Sequence, residues 1–414
     1  MSKSVEMDEH VEQRPVWAWI DQSALRHNAR RTLEYAGGRT VIGVVKADGY
    51  GHGAAVVAHA LLAEGIARLA VVSIAEGGDL RRAGIVAPIL LLGGIEDRAA
   101  GERAVKWGLT PVIQDERGLS LAASLGRAGT PVTVEVEVDT GMRRMGVMVT
   151  SARKLIDGVR KEPGVVLGGI FTHLARADES DLSASCAQAQ AFADLLEEAG
   201  RGAKSVEAVA SEPGSLAGVH LANSGGLVRL SGIEKAVPGL RSTAVRPGLM
   251  LYGATPLEGE SAESLDLEPV MSLAARVVSV RRIDAGDSVG YGGEWTAEKG
   301  TTIATLPLGY ADGIPRTAFG EGRVYLAGAM RRIVGRVSMD SLCVDMGDAA
   351  IDIGDVATIF GRTPEGRRVP VEDFAEAAGT VAYEILVGIG ARVPRWVGAG
   401  WPPGDRPEDV DLRD

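Results

Sequence analysis

Val41-Ile42-Gly43-Val44-Val45-Lys46-Ala47-Asp48-Gly49-Tyr50-Gly51-His52-Gly53 sets the pattern that decides the fold: a short apolar run, a lysine at its end, then a loop with glycine at 49, 51 and 53. A run of that length bounded by turn residues has the form of a buried parallel strand, and the helix-forming stretch Ala54–Ala63 after it supplies a crossover. The unit repeats along the chain. Strands are expected at Val41–Val45, Leu69–Ser73, Pro88–Leu92, Thr110–Ile113, Val132–Val138, Val165–Thr172, Gly218–Leu221 and Val245–Leu251, with amphipathic, alanine-rich stretches such as Leu182–Ala199 between most of them. Eight strands alternating with helices predict an α/β fold whose N-terminal part is a (β/α)8 TIM-type barrel. The helices read as the barrel's outer coat, without chemistry of their own.

From Glu268 onward, helical periods give way to short alternating runs: Ser272–Ile283, Thr301–Leu306, Arg332–Val337, Leu342–Asp345 and Val356–Phe360, with a helix at Val371–Ala378. This predicts a mainly β C-terminal domain. The expected organisation is a poorly ordered tail at 1–14, the barrel at 15–260, the β domain at 261–400 and a Pro- and Asp-rich tail at 401–414. The run Val16–Ile20 precedes the barrel and is open to pairing with the β domain instead.

Bulk properties narrow the classes of function. A net charge of −11 opposes binding to a phosphate backbone, and no basic block offsets it, so nucleic acid is not an expected partner. Cys186 and Cys343 are the chain's two cysteines, with no CxxC and no His at ligand spacing, so they read as buried thiols, with no disulfide framework and no metal site. No run approaches the roughly 18 apolar residues of a membrane span, and Met1–Arg14 is polar. A cytoplasmic protein without membrane contact is expected.

In a TIM-type barrel the chemistry sits at the C-terminal ends of the strands. Here those ends are polar: Lys46 and its loop, then Glu137, Asp139, Arg143 and Arg144, then His173 and Arg176, then His220, Asn223 and Ser224, then Arg246, Gly248 and Tyr252. Lys46 stands out because the chain has eight lysines against thirty-six arginines. A lysine at the end of a buried strand is partly desolvated, which favours the neutral amine and suits Schiff-base formation. The residues alone leave open a lysine paired with a carboxylate such as Asp139. Glycines around Tyr50 admit a bulky ligand, and Asn223-Ser224-Gly225-Gly226 can open a helix whose first N–H groups face a phosphate. Both are also ordinary barrel loops. His173 and His220 read equally as hydrogen-bonded residues near the core. In the β domain, Gly290-Tyr291-Gly292-Gly293, Gly309-Tyr310-Ala311-Asp312-Gly313, Ser338-Met339-Asp340 and Ala382-Tyr383-Glu384 concentrate tyrosines in loops, where binding, proton transfer or plain exposure all remain open.

Taken in order, the stretches Val45–Gly53, Asp139-Thr140-Gly141-Met142-Arg143-Arg144-Met145-Gly146, Phe171-Thr172-His173, Ala222-Asn223-Ser224, Val245-Arg246-Pro247-Gly248-Leu249, Gly309–Gly313 and Gly335-Arg336-Val337-Ser338-Met339-Asp340 resemble the motifs of alanine racemases, pyridoxal-phosphate enzymes of fold type III. The resemblance runs from about Val16 to Trp396. It implies pyridoxal 5'-phosphate as cofactor, carried by Lys46 as a Schiff base, with Lys46 as one catalytic base and Tyr291 of a partner subunit as the other. It implies a homodimer with shared active sites and a small amino-acid substrate. Arg246 would face the pyridine nitrogen, supported by His220, and His173 would pack on the ring. The phosphate would be held by Tyr50, Asn223, Ser224, Tyr383 and the backbone of Gly248 and Leu249. Arg144, Tyr310 and Met339 would bound the substrate, with Glu137 and Asp340 in supporting positions.

Three features depart from the family's pattern. Many members carry a carbamylated lysine where this chain has Glu137, Ser338 stands where the family often has Cys, and the interval from Asn223 to Arg246 is longer than usual. The expected reaction is reversible racemisation of alanine, supplying D-alanine as a peptidoglycan precursor or to a specialised pathway. The alternatives are a racemase of broader specificity, including serine, and a non-catalytic pyridoxal-phosphate-binding protein. The β domain and Tyr291 argue against the last, which needs neither. An amino-acid decarboxylase is disfavoured by the absence of the acidic and cysteine groups that such enzymes' partners supply.

Overall fold

A computed structural model describes residues 14–126, 130–200, 218–240 and 242–400. The tails expected at 1–14 and 401–414 lie outside these residues, Arg14 excepted. By its internal contacts the chain divides into two units, one of residues 22–270 and one in which the segment up to Asp21 joins the segment from Met271 onward.

The first strand, β1 (Val16–Asp21), belongs to the second unit, where it pairs antiparallel with a later strand beginning at Met271. In the first unit follow β2 (Thr40–Val44), β3 (Arg68–Val71), β4 (Ile89–Leu91), β5 (Leu109–Ile113), β6 (Val132–Asp139), β7 (Val147–Met148), β8 (Val165–Phe171), β9 (Gly218–His220) and β10 (Ala244–Val245). Their hydrogen-bonded order is β5-β4-β3-β2-β10-β9-β8-β6, and β6 pairs back to β5. That pairing closes an eight-stranded parallel barrel, with β7 appended to β6. All eight predicted strands are present. β10 is shorter than the expected Val245–Leu251, because Pro247 offers no N–H to a ladder and Leu249–Tyr252 turns into a 3-10 helix. Helices such as Ala54–Ala63 and Ser183–Gly200 bury one face, through Val57 and Leu61 in the first and Phe192, Leu195 and Leu196 in the second.

The second unit continues with β11 (Met271–Arg276), β12 (Ser279–Ile283), β13 (Ser288–Val289), β14 (Trp295–Thr296), β15 (Thr301–Leu306), β16 (Arg323–Leu326), β17 (Ala329–Val334), β18 (Leu342–Gly347), β19 (Val356–Arg362), β20 (Arg368–Val369) and β21 (Arg395–Gly398). They build a sheet ordered β12-β15-β18-β17-β16-β19-β11-β1-β21, with β20 on β19 and the hairpin β13–β14 apart. The run Ser272–Ile283, expected as one strand, is two, because Val277 and Val278 donate their N–H groups to Asp355 and Thr305, in different places. The strand expected at Arg332–Val337 lies at Ala329–Val334 and stops at Gly335, whose φ of +66° leaves the β region. Cys186 and Cys343, expected buried, are both half-buried. Among the described residues no helix is long and apolar enough to cross a membrane, and no three His, Cys, Asp or Glu are grouped to hold a metal.

Phe360 on β19 is fully buried, with its ring 6.5 Å from that of Phe374 on the helix Val371–Ala377. Phe360→Ala is expected to cost roughly 3–5 kcal/mol by leaving a cavity, read as a lower urea midpoint.

Candidate active site

Strand β2 delivers Lys46 to its C-terminal end, and the backbone then does something costly. Ala47, Asp48, Gly49 and Tyr50 all have φ between 51° and 60°, a left-handed turn in which three of four residues carry a Cβ. Each such residue costs on the order of 1–2 kcal/mol, so the turn persists only because it is braced. Glu76 accepts from Ala47 N at 2.8 Å with one oxygen and from Val72 N and Ser73 N at 2.8 Å with the other, while Asp48 accepts from Ala54 N at 2.8 Å. Burial, and then the neighbouring positive charge of Arg144, lower the pKa of the Lys46 amine, and Glu76 partly opposes them. Asp139, the carboxylate that the sequence left open as a partner for Lys46, is committed elsewhere. It accepts from Gly141 N at 2.9 Å and Arg143 N at 3.1 Å, and its second oxygen meets Arg143 Nη1 at 3.4 Å.

Arg246, just past β10, is buried and cationic. It donates through Nη2 to Thr172 O at 2.8 Å, reaches His173 Nδ1 at 3.3 Å, lies 4.5 Å over the Phe171 ring, and bonds His220 Nδ1 through Nη1. Burial lowers its pKa to about 10, against the pull of Glu137 and Glu135, so it stays charged at neutral pH. His220 is held neutral, to about 4, by burial first. His173 is held to about 3 by burial, then by the charges of Arg246, Arg144 and Lys46. Both histidines therefore protonate more readily unfolded, near 6.5, than folded. Their contribution to stability is full above about pH 6.5 and is lost as pH falls toward those folded values. The urea midpoint should fall between pH 7.5 and pH 5, and a midpoint indifferent to pH over that range would contradict the assignment.

The loop after β6 carries Arg144, which is exposed, and is tied to the loop after β8. Thr140 Oγ1 meets Thr172 Oγ1 at 2.8 Å. The Gln188 side chain donates to Thr140 Oγ1 at 3.2 Å and His173 O at 3.0 Å while accepting from Ala175 N at 2.8 Å. Glu137, on β6, accepts from Gln114 Nε2 at 2.8 Å; burial raises its pKa, and Arg246 and Arg144 act against that through their charge.

Asn223 caps the helix Ser224–Ala236, its Oδ1 accepting from Gly226 N at 2.8 Å, so the helix's positive end opens beside Ser224. At Gly248 a Cβ would lie 2.5 Å from Tyr50 Oη, so any larger residue there would displace the Tyr50 hydroxyl. Gly248 N donates to Ser224 Oγ at 2.8 Å, so in this arrangement Gly248 contributes room and Ser224 takes its N–H. Leu249 is buried beside it. Tyr50 stacks on Tyr252 at 4.6 Å, and Tyr252 is anchored to Val44 O at 2.9 Å.

In the second unit, Tyr291, Tyr310, Met339, Asp340 and Tyr383 are all exposed and stand on loops or a helix stitched to one another. Tyr310 N and Ala311 N donate to Ser338 O and Met339 O, both at 3.0 Å. Arg392 bridges Asp312 at 3.3 Å and Asp340 at 2.6 Å. The Tyr291 loop is clasped by Arg336, which pairs with Glu294, and a Cβ on Gly335 would strike Val289 O at 2.5 Å. A Cβ on Gly313 would lie 2.2 Å from Gly388 O, at the end of the helix Ala382–Gly388 that bears Tyr383.

The structure thus brings together the barrel residues singled out from the sequence, Lys46, Tyr50, Glu137, Arg144, His173, His220, Asn223, Ser224, Arg246, Gly248 and Leu249, and gathers the remaining five in the other unit. Sequence reasoning missed Glu76, Arg68, Gln114, Glu135 and Gln188. A signal existed for Glu135: the alternation from Val132 to Asp139 puts residues 133, 135, 137 and 139 on one face of a strand otherwise made of valine.

Comparison with known proteins bears on the whole length. The N-terminal domain of alanine racemase matches residues 20–256 and its C-terminal domain residues 270–397. An alanine racemase of Desulforamulus reducens is 38% identical over 386 residues, 92% of this chain and 98% of the relative. The crystal structure of alanine racemase from D-cycloserine-producing Streptomyces lavendulae superposes with a TM-score of 0.84 at 34% identity, covering 95% of this chain and 99% of that one. Biosynthetic alanine racemase from Pseudomonas aeruginosa gives a TM-score of 0.80 at 35% identity, covering 93% and 100%.

Proposed function

The chain belongs to the alanine racemase family, and from that membership we propose that it interconverts L- and D-alanine with pyridoxal 5'-phosphate, Lys46 serving one face of the substrate and the partner subunit's Tyr291 the other. The observation that carries this reading is the partly desolvated Lys46 at a barrel-strand end, among Arg144, His173 and Arg246. The residues fit the cofactor. The lack of a side chain at Gly248 lets the Tyr50 hydroxyl come against its backbone, beside the capped helix end at Ser224, which favours an anion, and Lys46 has the depressed basicity that condensation with an aldehyde requires. In the barrel, Tyr50, Asn223, Ser224 and Leu249 would hold the phosphate.

When bound, pyridoxal phosphate supplies the aldehyde that holds the amino acid and a ring that acidifies its Cα–H. The protein does the rest. Lys46 Nζ takes or returns a proton on one face, and the phenol of Tyr291 does so on the other, as inversion at a planar carbon requires. Arg246, a persistent cation, can only donate to a ring nitrogen that faces it, which restrains charge delocalisation into the ring and suppresses side reactions. His173 packs beside it as a neutral ring. Arg144 offers its charge to the substrate carboxylate, and Tyr310 and Met339, again from the partner subunit, narrow the space to a small side chain. Supply of both bases from different copies makes a homodimer part of the chemistry. The exposure of Tyr291 in a braced loop supports that.

Glu137 stands for the family's carbamylated lysine, and its charge acts on Arg144 without a dissociable carbon dioxide. Activity is expected to be indifferent to bicarbonate, and Glu137→Gln to raise KM for alanine several-fold through a less well oriented Arg144. Unchanged kinetics in Glu137→Gln would remove the role. The overall test is purified protein with pyridoxal phosphate and a panel of L-amino acids. Conversion of L-alanine well ahead of the others supports the proposal, equal conversion of several points to a broad-specificity racemase, and no Cα–H exchange with deuterated solvent to a non-catalytic binder.

A further inference from the structure

The barrel interior holds an ion pair that the mechanism above does not use. Arg68, at the start of β3, and Glu135, in the middle of β6, are buried, with Nη1 2.8 Å from Oε1. Barrel interiors are filled mainly by branched apolar side chains, and a buried ion pair is weak evidence for stability because desolvation offsets the attraction. Room has been made for this one: a Cβ on Gly169 of β8 would lie 3.1 Å from Glu135 Cδ.

The second oxygen of Glu135 meets His220 Nε2 at 2.8 Å. An ionised carboxylate only accepts, so Nε2 carries the ring proton and Nδ1 offers its lone pair, and Nδ1 is the atom to which Arg246 donates. Phe171 lies 4.8 Å from the His220 ring in a stack and 4.5 Å beneath the Arg246 guanidinium, closing one side of the row. A continuous chain runs from Arg68 through Glu135 and His220 to Arg246.

We infer that Arg68 and Glu135 are positioning residues that act on Arg246 through His220. Glu135 holds the far end of the imidazole so that its near end stays aimed at the guanidinium. Arg68 occupies the other carboxylate oxygen and keeps Glu135 from turning away or taking up a proton. His220 and Arg68 together bring Glu135 to about 2 against its burial, so the carboxylate is ionised throughout the neutral range. The consequence for function rests on the reading of Arg246 as the group facing the cofactor ring.

The experiment replaces the pair by apolar residues of similar size, Arg68→Met with Glu135→Leu, alone and in a His220→Gln background. Two readouts are taken: solvent exchange of the Arg246 Nη–H signals in 15N-arginine-labelled holoenzyme, identified by their loss in Arg246→Lys, and kcat for alanine. The expected result is a thermal midpoint lowered by no more than a few degrees, because the swap leaves the buried His220 Nε2–H without its acceptor, with Arg246 exchange faster by tenfold or more and kcat lower by about the same factor. In the His220→Gln background the swap should add little, since the effect passes through the imidazole. Should the swap fail to fold, Glu135→Gln keeps the shape, removes the charge, and is expected to change Arg246 exchange in the same direction. Wild-type exchange at Arg246 in the swapped protein, or an effect of the swap undiminished without His220, overturns the inference. A wild-type protein inactive on alanine would instead refute the proposed function, while the exchange measurement would still decide the role of the chain of residues.

Discussion

Lys46→Ala is expected to reduce alanine racemisation by at least about 10⁴-fold, since under the proposed mechanism it removes both the amine that would carry the cofactor and one of the two bases; acid–base catalysis alone is worth roughly 10²–10⁴. The size of the effect follows from where the lysine stands. Its amine is partly desolvated and lies near the charge of Arg144, both of which favour its neutral form. The variant should still fold, because Lys46 is half-buried and the turn beyond it is braced by the Glu76 carboxylate, which accepts from the backbone N–H of Ala47. The check is racemase activity beside the absorbance of bound pyridoxal phosphate. A Lys46→Ala protein within tenfold of wild-type activity would exclude Lys46 from the chemistry.

Tyr291→Phe should slow racemisation by roughly 10²–10⁴-fold, yet its informative signature is an asymmetry. Because the two enantiomers are equal in free energy, kcat/KM must fall equally in both directions. Exchange of the Cα–H with deuterated solvent is not so bound. The enantiomer whose hydrogen faces Lys46 should keep exchanging without inversion, while its mirror image should lose exchange along with turnover. Equal exchange of both enantiomers, or wild-type activity, would sink the two-base assignment. The ring at 291 is highly exposed, so Phe leaves the fold intact and the effect is chemical.

Legibility differed between fold and site for reasons visible in particular residues. The eight barrel strands were readable because each is a short apolar run set between turn residues and helical periods, a local signal. Strand ends were less so: the final strand stops at Val245 because of Pro247, and the run from Ser272 divides at Val277 because its N–H groups find different neighbours. Within the site, Lys46 could be ranked from its place at the end of an apolar run. Glu76 could not, because in sequence it is one more acidic residue in the first turn of a helix, where capping already explains it.

What the amino-acid order determined by itself was the alternation of periods, hence the barrel and the β domain, and the motif order that marks the family. Side-chain periodicity is a property of one segment at a time, so it survives without knowledge of neighbours. Only the tertiary structure decided what surrounds the functional groups: that Asp139 is committed to its own loop and not to Lys46, that Glu76 holds the left-handed turn, and that Arg68, Glu135, His220 and Arg246 form one buried row. Those relations join residues as far apart as 67 and 85 positions. They arise because a buried charge must find its counter-charge across the barrel, and no local pattern records which strand will supply it.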